Sequence, residues 1–344
     1  MPPLNARGLL LSLAALTAVL LVALAVCASI GSSGYTAIDL LRGAGGGADE
    51  RARDMAAVMI LRVRMPRLLL AAIAGAALGA AGTAFQAVLR NPLADPYILG
   101  ISGGAALAAI AVTAAGLPAL LPALPVREVA AFLGAVATLA IIVLLASVRG
   151  RIASYPMLLI GVVMNAIYLG LILFIETAVE FTRIQGVMMW MVGNVPTESY
   201  RLIGLLAVVL VLGVAGLWAL GRPLNVLSAG EEVARTLGVQ VERVRVAAIL
   251  VASLVVAAVV SVTGLIGFVG LIVPHSARLV FGPDHRLLVP ASALTGAIFL
   301  MVADTAARTL MAPTELPVGV LTVLCGGPLF LWLYRRHRGM TYFD

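Results

Sequence analysis

The sequence predicts an all-α polytopic membrane protein, and its composition and the spacing of its apolar runs lead to that prediction. Of 344 residues, 62% are hydrophobic and 11% are charged, and the mean hydropathy is +1.10. A soluble domain carries about 25% charged residues, so the charges here are too few to cover a water-facing surface. The apolar residues also gather in long runs, which is typical of helices that cross a bilayer.

Most of the apolar runs are long enough to span the hydrocarbon core, which takes roughly 17–25 helical residues. Two further runs, near 266–281 and 287–308, are shorter and broken by Gly, Pro, His and Asp. About ten transmembrane helices are therefore expected, in a single transmembrane domain that covers 1–344. The longer runs are 9–30, 68–89, 97–119, 128–148, 156–178, 202–220, 244–263 and 317–334.

The distribution of arginine predicts the orientation in the membrane. With ten spans and the N-terminus in the cytoplasm, arginines outnumber acids on the inner side and balance them outside, so the net charge of +7 lies inside. Both termini are then cytoplasmic. The polar stretch 31–65 becomes a periplasmic loop with a short surface helix.

Several classes of chemistry are excluded or disfavoured by residue usage. Every basic residue is arginine, so the lysine that a P-loop or a Schiff base needs is missing. Cys27 and Cys325 lie in apolar runs, where cysteine is usually a small buried hydrophobe. We therefore expect a chain that is not an enzyme and that holds no cofactor or metal of its own.

Two segments predict interruptions between or within spans. The polar turn 90–96 contains two prolines, each of which biases the preceding residue away from helix. In 264–275, glycines three apart and Pro274 predict irregular backbone, which at membrane depth is tolerated only where it is buried in protein or lines a cavity. By contrast, Gly75 and Gly79 are spaced for close helix packing.

The longest polar stretch between spans, residues 222–242 (called the coupling segment below), is predicted to lie on the cytoplasmic side. Within it, Ser228 is expected to cap a short amphipathic helix, Glu231 and Glu232 fall in the first turn, and Gly238 ends it. Its apolar stripe is small for firm lipid binding, so docking to a cytoplasmic partner is favoured over lying on the membrane surface.

Two alternative functions use other residues. An ion- or proton-coupled secondary transporter would suit broken helices, but Asp304 is nearly alone as an intramembrane acid and is expected to pair with Arg308 at i, i+4. Gly100–Gly103 matches the G-x-S-G of intramembrane serine proteases through Ser102, with His275 as an available base. A four-residue match in a chain so rich in glycine and alanine is a weak signal.

Taken together, these segments resemble the FecCD family, the permease subunits of ATP-binding-cassette (ABC) importers for iron–siderophore complexes, haem and cobalamin. The similarity runs in order from about residue 60 to 334. It is carried by 62–67, Gly75, 85–86, 91–96, 224–238, 264–278, Asp304, Arg308, 315–319 and 327–328.

The resemblance implies a homodimer in the bacterial inner (cytoplasmic) membrane, with the pathway at the two-fold interface. Two ABC ATPase subunits, which hold ATP and Mg, would dock on the cytoplasmic side. A periplasmic or lipid-anchored substrate-binding protein would dock outside, and nucleic acid is not an expected partner. The implied function is import of an iron chelate by alternating access, with ferric siderophore first and haem or cobalamin as alternatives.

The resemblance also assigns three sets of residues. The cytoplasmic gate is carried over to Asn91, Leu93, Ser154 and Tyr155, although Tyr155 is bulkier than the small hydroxyl residue expected there. Docking of the binding protein falls to outward-facing arginines that would pair with acids on that protein: Arg64, Arg67 and Arg308. Coupling to the ATPase falls to Leu224, Ser228, Gly230, Glu231, Glu232, Ala234, Leu237 and Gly238.

Overall fold

A computed structural model describes residues 6–31, 50–121, 124–148, 151–152, 154–179 and 188–336. Within these ranges the regular structure is helical, apart from one antiparallel pair of two-residue strands. The predicted all-α class is therefore confirmed. Part of the predicted loop 31–65 and the C-terminal residues after 336 lie outside the described ranges.

The helices are numbered α1 to α14 in chain order. The first half of the chain contains α1 (Ala6–Ser29), α2 (Glu50–Val58), a π-helical segment (Met59–Arg64), α3 (Met65–Leu89), α4 (Ile101–Ala114), α5 (Leu117–Leu120), α6 (Val126–Ala146) and α7 (Ser154–Ala178). The second half contains α8 (Tyr200–Ala219), α9 (Gly221–Ser228), α10 (Glu231–Thr236), α11 (Val241–Thr263), α12 (Val269–Phe281), α13 (His285–Thr309) and α14 (Val318–Arg336). Between α6 and α7, β1 (Ser147–Val148) pairs with β2 (Arg151–Ile152).

The apolar helices match the predicted spans. In the described part of the chain, 7 helices are long and apolar enough to cross a membrane, and shorter apolar helices lie at α4, α12 and α14. Each predicted apolar run coincides with one of these helices. A polytopic helical fold is thus supported by the structure, whereas the crossing of a bilayer by all ten helices stays a prediction.

The pair α3–α13 forms the centre of the fold and is its most extensively packed helix pair. The most apolar part of the helical stretch that includes α3 is 89% buried, as expected of a helix that is apolar on every side. A Cβ added to Gly75 would overlap the carbonyl of Gly296, and one on Gly79 would overlap the carbonyl of Ser292. The predicted close packing at these glycines is confirmed, because the two backbones touch directly.

The second half of the polar stretch 31–65 contains the expected short helix, but that helix does not stop before the next span. Helix begins at Glu50 and continues through the π-helical segment into α3, without a break to Leu89. Pro66 lies in the first turn of α3, where proline is tolerated. The π-helical segment just ahead of it changes the hydrogen-bond register where the proline ring would meet the preceding turn, and the helix continues.

The predicted irregular backbone is present between α11 and α12. The helix α11 stops at Gly264 (φ 69°), and Phe268 (φ 68°) precedes α12 in the left-handed region. A Cβ on Gly264 would overlap the carbonyl oxygen of Trp190, which explains why glycine is required there. Pro274 lies inside α12 and does not end it.

Candidate functional site

The N-terminal end of α3 and the C-terminal end of α13 bring together an arginine cluster, which we define as Arg64, Arg67, Asp304, Arg308 and Glu315. Asp304 lies at its centre and is 0% exposed. Nε of Arg67 is 3.1 Å from its Oδ1, and Nε of Arg308 is 3.1 Å from its Oδ2. Nη1 of Arg67 also donates to Oε2 of Glu315 at 2.7 Å, and Nη1 of Arg64 donates to the carbonyl of Ala28 at 3.0 Å.

This geometry confirms the predicted pair of Asp304 and Arg308, and it adds Arg67, which the sequence reasoning did not connect to Asp304. The three arginines expected to dock the binding protein are largely buried in this chain, and their docking role stays a prediction. Arg64, Arg67 and Arg308 are 3%, 8% and 6% exposed, because the guanidinium groups of Arg67 and Arg308 turn onto the buried carboxylate. The exposed member is Glu315, whose side chain is 47% accessible.

The coupling segment consists of two short helices, α9 and α10, rather than the one helix that was expected. Ser228 is the last residue of α9, and its hydroxyl donates to the carbonyl of Leu224, so it does not cap the next helix. The break lies at Gly230, whose φ of 133° is a backbone angle that glycine adopts without strain. Glu231 and Glu232 do occupy the first turn of α10, and Gly238 (φ 78°) follows its end as predicted.

Buried and exposed residues alternate along the coupling segment. Leu224 and Ala234 are fully buried against the rest of the fold. Glu231 forms an ion pair with Arg245 of α11, a residue that the sequence analysis did not single out and that is 1% exposed. The exposed residues form a mixed polar and apolar surface that comprises Ser228, Glu232, Val233, Arg235, Leu237 and Gly238.

The predicted gate residues lie in two turns. Oδ1 of Asn91 accepts a hydrogen bond from the backbone N of Leu93 at 2.9 Å, which fixes the turn after α3, and Leu93 is 42% exposed. Tyr155, in the first turn of α7, is 76% exposed. Ser154 begins α7, and its side chain lies outside the described part of the structure.

A cavity of about 520 Å³ adjoins the turn that contains the first two gate residues. Its polar edge is formed by Asp95 and Tyr97, and its apolar walls come from the irregular backbone before α12 and from α14. Asp95 is 7% exposed, and its Oδ1 accepts from the backbone N of Tyr97 at 2.7 Å. Burial raises the pKa of the Asp95 carboxyl to about 6. The prediction that the irregular backbone lines a cavity is confirmed.

The protease-like motif lies inside the helical packing. Ser102 is in the first turn of α4 and is 3% exposed. His275 is 5% exposed in α12, and its ring packs edge-on against Phe330 with 6.3 Å between ring centroids. Both residues are therefore accounted for by helix packing.

The chain is similar to known proteins over most of its length. The model of the FecCD transport family matches residues 17–336. The chain is 43% identical to the cobalamin import system permease BtuC of Halobacterium salinarum over 82% of this chain and 74% of the relative. It is 43% identical to the hemin transport system permease HmuU of Yersinia pestis over 81% of this chain and 83% of the relative.

A solved structure shares the fold. An inward-facing protein described as a metal-chelate type ABC transporter superposes with a TM-score of 0.80 at 27% sequence identity, covering 95% of this chain and 99% of that one. The family consists of transport permease subunits rather than enzymes, which removes the protease alternative. Since the family model covers all the apolar helices, the arginine cluster and the coupling segment, the chain belongs to the FecCD transport family.

Proposed function

We propose that this chain is the membrane permease of an ABC importer that moves a metal chelate into the cytoplasm of a bacterium. It works as a homodimer in the inner membrane, with about ten spans per protomer, both termini in the cytoplasm and the pathway at the two-fold interface. Two ABC ATPases bind the coupling segment, and a substrate-binding protein docks on the arginine cluster. Gating falls to Asn91, Leu93, Ser154 and Tyr155.

The observation that carries this proposal is the arrangement of the two surfaces around α3–α13. The coupling segment lies at the end of the pair where α13 begins, and the arginine cluster lies where α13 ends. A partner on each surface would thus be connected through one tightly packed helix pair. Such an arrangement suits a protein whose energy comes from outside, because two partners can bias the same pair of conformations.

The substrate class is proposed from the relatives and from the cavity. The relatives above are named for cobalamin and hemin, and the solved structure is of metal-chelate type. The cavity wall is mainly apolar with one acidic edge, which supports a pathway that touches a bulky chelate without holding it tightly. Ferric siderophore is our first candidate, and haem and cobalamin are the alternatives.

The test is reconstitution with the cognate ABC ATPase in proteoliposomes, with uptake of a radiolabelled ferric siderophore as the readout. Wild-type uptake is expected to require both ATP and the binding protein. Glu232→Arg reverses an exposed charge on the coupling segment without touching the Glu231–Arg245 ion pair. A loss of about 1.4 kcal/mol in docking would weaken the affinity for the ATPase about tenfold and so lower the amount that co-purifies.

The matched control is Asp54→Arg, a charge reversal at an exposed residue of α2 on the predicted outer side. It is expected to leave the amount of co-purified ATPase unchanged. Uptake that proceeds without the ATPase and follows an imposed proton gradient would contradict the proposal and favour a secondary transporter. Uptake of haem or cobalamin in place of the siderophore would revise the substrate and leave the importer proposal intact.

A further inference from the structure

A polar junction joins α9 of the coupling segment to the start of α13. Nδ2 of Asn225 donates to Oδ1 of Asp284 at 2.8 Å. Oδ1 of Asn225 accepts from the backbone N of His285 at 2.7 Å, and Nδ1 of His285 lies 2.7 Å from the same oxygen. One amide therefore contacts a carboxylate, a backbone N–H and an imidazole, all from residues about 60 positions away in the chain.

The orientation of the Asn225 amide is determined by these partners. An ionised carboxylate can only accept, so the atom facing Asp284 must be the nitrogen. The backbone N–H of His285 can only donate, so the atom facing it must be the oxygen. It follows that Nδ1 of His285 carries the proton that reaches the same oxygen. An aspartate in place of Asn225 would keep the shape of the side chain. It would replace the N–H donor that faces Asp284 with a second carboxylate oxygen, which can only accept.

Asp284 connects this junction firmly to α13. Its Oδ1 accepts from the backbone N of Arg286 at 3.0 Å and so caps the helix, and its Oδ2 is 2.6 Å from Nη2 of Arg286. Burial alone would raise the pKa of Asp284, but the hydrogen bonds from Arg286 and Asn225 outweigh it and hold the pKa at about 2. From the end of α8, Nε1 of Trp218 donates to the carbonyl of Arg286 at 2.7 Å.

The helix that starts at this junction ends in the arginine cluster. With 25 residues, α13 is about 37 Å long. Asp304 and Arg308 lie in its last two turns, and Arg67 at the start of α3 joins them. Between the two ends, the backbone contacts at Gly75 and Gly79 leave no space for α13 to slide independently of α3. A displacement of α13 at His285 is therefore passed on to the cluster at the other end.

We propose that Asn225 is a positioning residue that transmits motion of the coupling segment to α13, and through α13 to the arginine cluster. This inference rests on the proposed function, since it needs an ATPase on one surface and a binding protein on the other. The other half of the coupling segment, α10, is held separately, because Glu231 pairs with Arg245 of α11. Loss of the Asn225 contacts thus uncouples α9 from α13 while α10 stays attached.

The experiment uses the full complex of permease, ATPase and binding protein in nanodiscs. The readouts are the ratio of ATP hydrolysis with and without the binding protein, and the change in binding-protein affinity between nucleotide states. We expect the two to fall together, because both depend on the same contact between α9 and α13. Strict reciprocity applies to the binding affinities alone. In Asn225→Asp, a carboxylate faces Asp284, and we expect both readouts to fall about fivefold or more, since couplings of this kind are typically 5–150-fold.

The matched control is the exchange Asn225→Asp with Asp284→Asn. It restores one amide and one carboxylate at the junction, and asparagine still caps α13. We expect it to recover most of both readouts. If Asn225→Asp fails to fold, Asn225→Ala removes the contacts without adding a charge and carries the same expectation.

The outcomes separate the two proposals. A complex of normal stoichiometry in which Asn225→Asp or Asn225→Ala keeps the wild-type ratio would overturn the role of Asn225. So would an exchange variant that folds, binds the ATPase and stays uncoupled, since the hydrogen bond to Asp284 would then not be the contact that matters. Failure of the wild-type chain to bind any ABC ATPase would instead overturn the proposed function, and this inference with it.

Discussion

The two ends of α13 hold charge in opposite ways. At its C-terminal end, Asp304 is fully buried between Arg67 and Arg308, and the pairs exclude solvent. At its N-terminal end, the pair of Asp284 and Arg286 is partly exposed, with 21% and 38% of the side chains accessible. At this end, the contact between α13 and the coupling segment is made by a neutral amide rather than by a buried ion pair.

The difference has an energetic consequence. A buried ion pair is tolerated in one geometry, because removing one partner leaves an uncompensated charge that costs about 3–5 kcal/mol. A partly exposed pair or a neutral hydrogen bond contributes only about 0–1.5 kcal/mol, because water replaces the lost partner. We therefore expect the arginine cluster to move as a unit, whereas the contact at the coupling segment can adjust its geometry during a transport cycle without being lost.

The largest effect is expected for Asp304→Leu. The substitution leaves Arg67 and Arg308 buried side by side without their shared carboxylate. We expect a loss of about 3–5 kcal/mol in the free energy of unfolding. Thermal unfolding of the purified permease in detergent measures the loss. The control is Asp54→Asn, at an exposed acid, whose free energy of unfolding should stay within about 0.5 kcal/mol of the wild-type value. An equal loss of stability in the two variants would contradict a rigid cluster.

A second buried acid, Asp95, tests whether the burial of Asp304 depends on its pairing with the arginines. Asp95 is buried beside an apolar cavity, and burial raises its pKa from 3.8 to about 6. Since the folded state binds this proton more tightly than the unfolded state, the contribution of Asp95 to stability is greatest below its unfolded pKa of 3.8 and is lost as the pH rises through 6. Asp95→Asn keeps the acceptor for the backbone N of Tyr97 and cannot ionise.

At pH 7.5 we expect Asp95→Asn to be more stable than the wild type by about 2–3 kcal/mol, because a pKa difference of one corresponds to about 1.4 kcal/mol. The difference should shrink as the pH falls through 6 and vanish well below 3.8, where the wild-type carboxyl is protonated in both states. Unfolding temperatures measured across this pH range provide the check. A stability difference that does not change with pH would mean that Asp95 is not held in the protonated form by burial.

The features that sequence could predict are those imposed by the membrane or by neighbours in the chain. Helical spans follow from long apolar runs, because lipid leaves no other way to satisfy the backbone. The irregular backbone at 264–268 follows from its glycines, and the pair of Asp304 and Arg308 follows from their i, i+4 spacing. In each case the physical cause lies within a few residues of the effect.

The features that sequence could not predict depend on residues far apart in the chain. Arg67 is 237 positions from Asp304, and Asn225 is 59 from Asp284. Nothing in the local pattern of either residue identifies its partner. The short helix expected in 31–65 is present from Glu50, but its continuation into α3 runs through the π-helical segment 59–64, which no local pattern predicts. Ser228 was taken for a cap because its hydroxyl could not be seen to bond within α9.

A smaller effect distinguishes two adjacent acids of the coupling segment. Glu231 pairs with the buried Arg245, whereas Glu232 is exposed. We expect Glu231→Gln to lose about 1–2 kcal/mol of stability, reduced from the value for a fully buried pair because Glu231 itself is 36% exposed and Glu242 also contacts Arg245. Glu232→Gln should change stability by less than about 0.5 kcal/mol. Thermal unfolding of the two variants side by side decides the matter, and equal losses would count against the anchoring of α10 by Glu231.

The smallest effect on stability, and the most informative one for docking, is expected at Glu315. Its side chain is 47% exposed and holds Nη1 of Arg67 at 2.7 Å, so it occupies the position that an acid of the binding protein would need. Because the pair is half exposed, Glu315→Gln should cost less than about 1 kcal/mol of stability. Removal of the competing carboxylate leaves Nη1 of Arg67 available to a partner, while Nε of Arg67 stays on Asp304.

For the same variant we expect the binding protein to associate about two- to threefold faster at low salt, with the gain lost at high ionic strength, because exposed charges act mainly on the rate of encounter. Surface plasmon resonance at two salt concentrations measures this directly. Slower association would place Glu315 itself, rather than Arg67, among the groups that attract the partner. That result would move the docking surface from the buried arginines to the exposed acid and would remove the reason to treat the C-terminal end of α13 as a binding site for acidic groups.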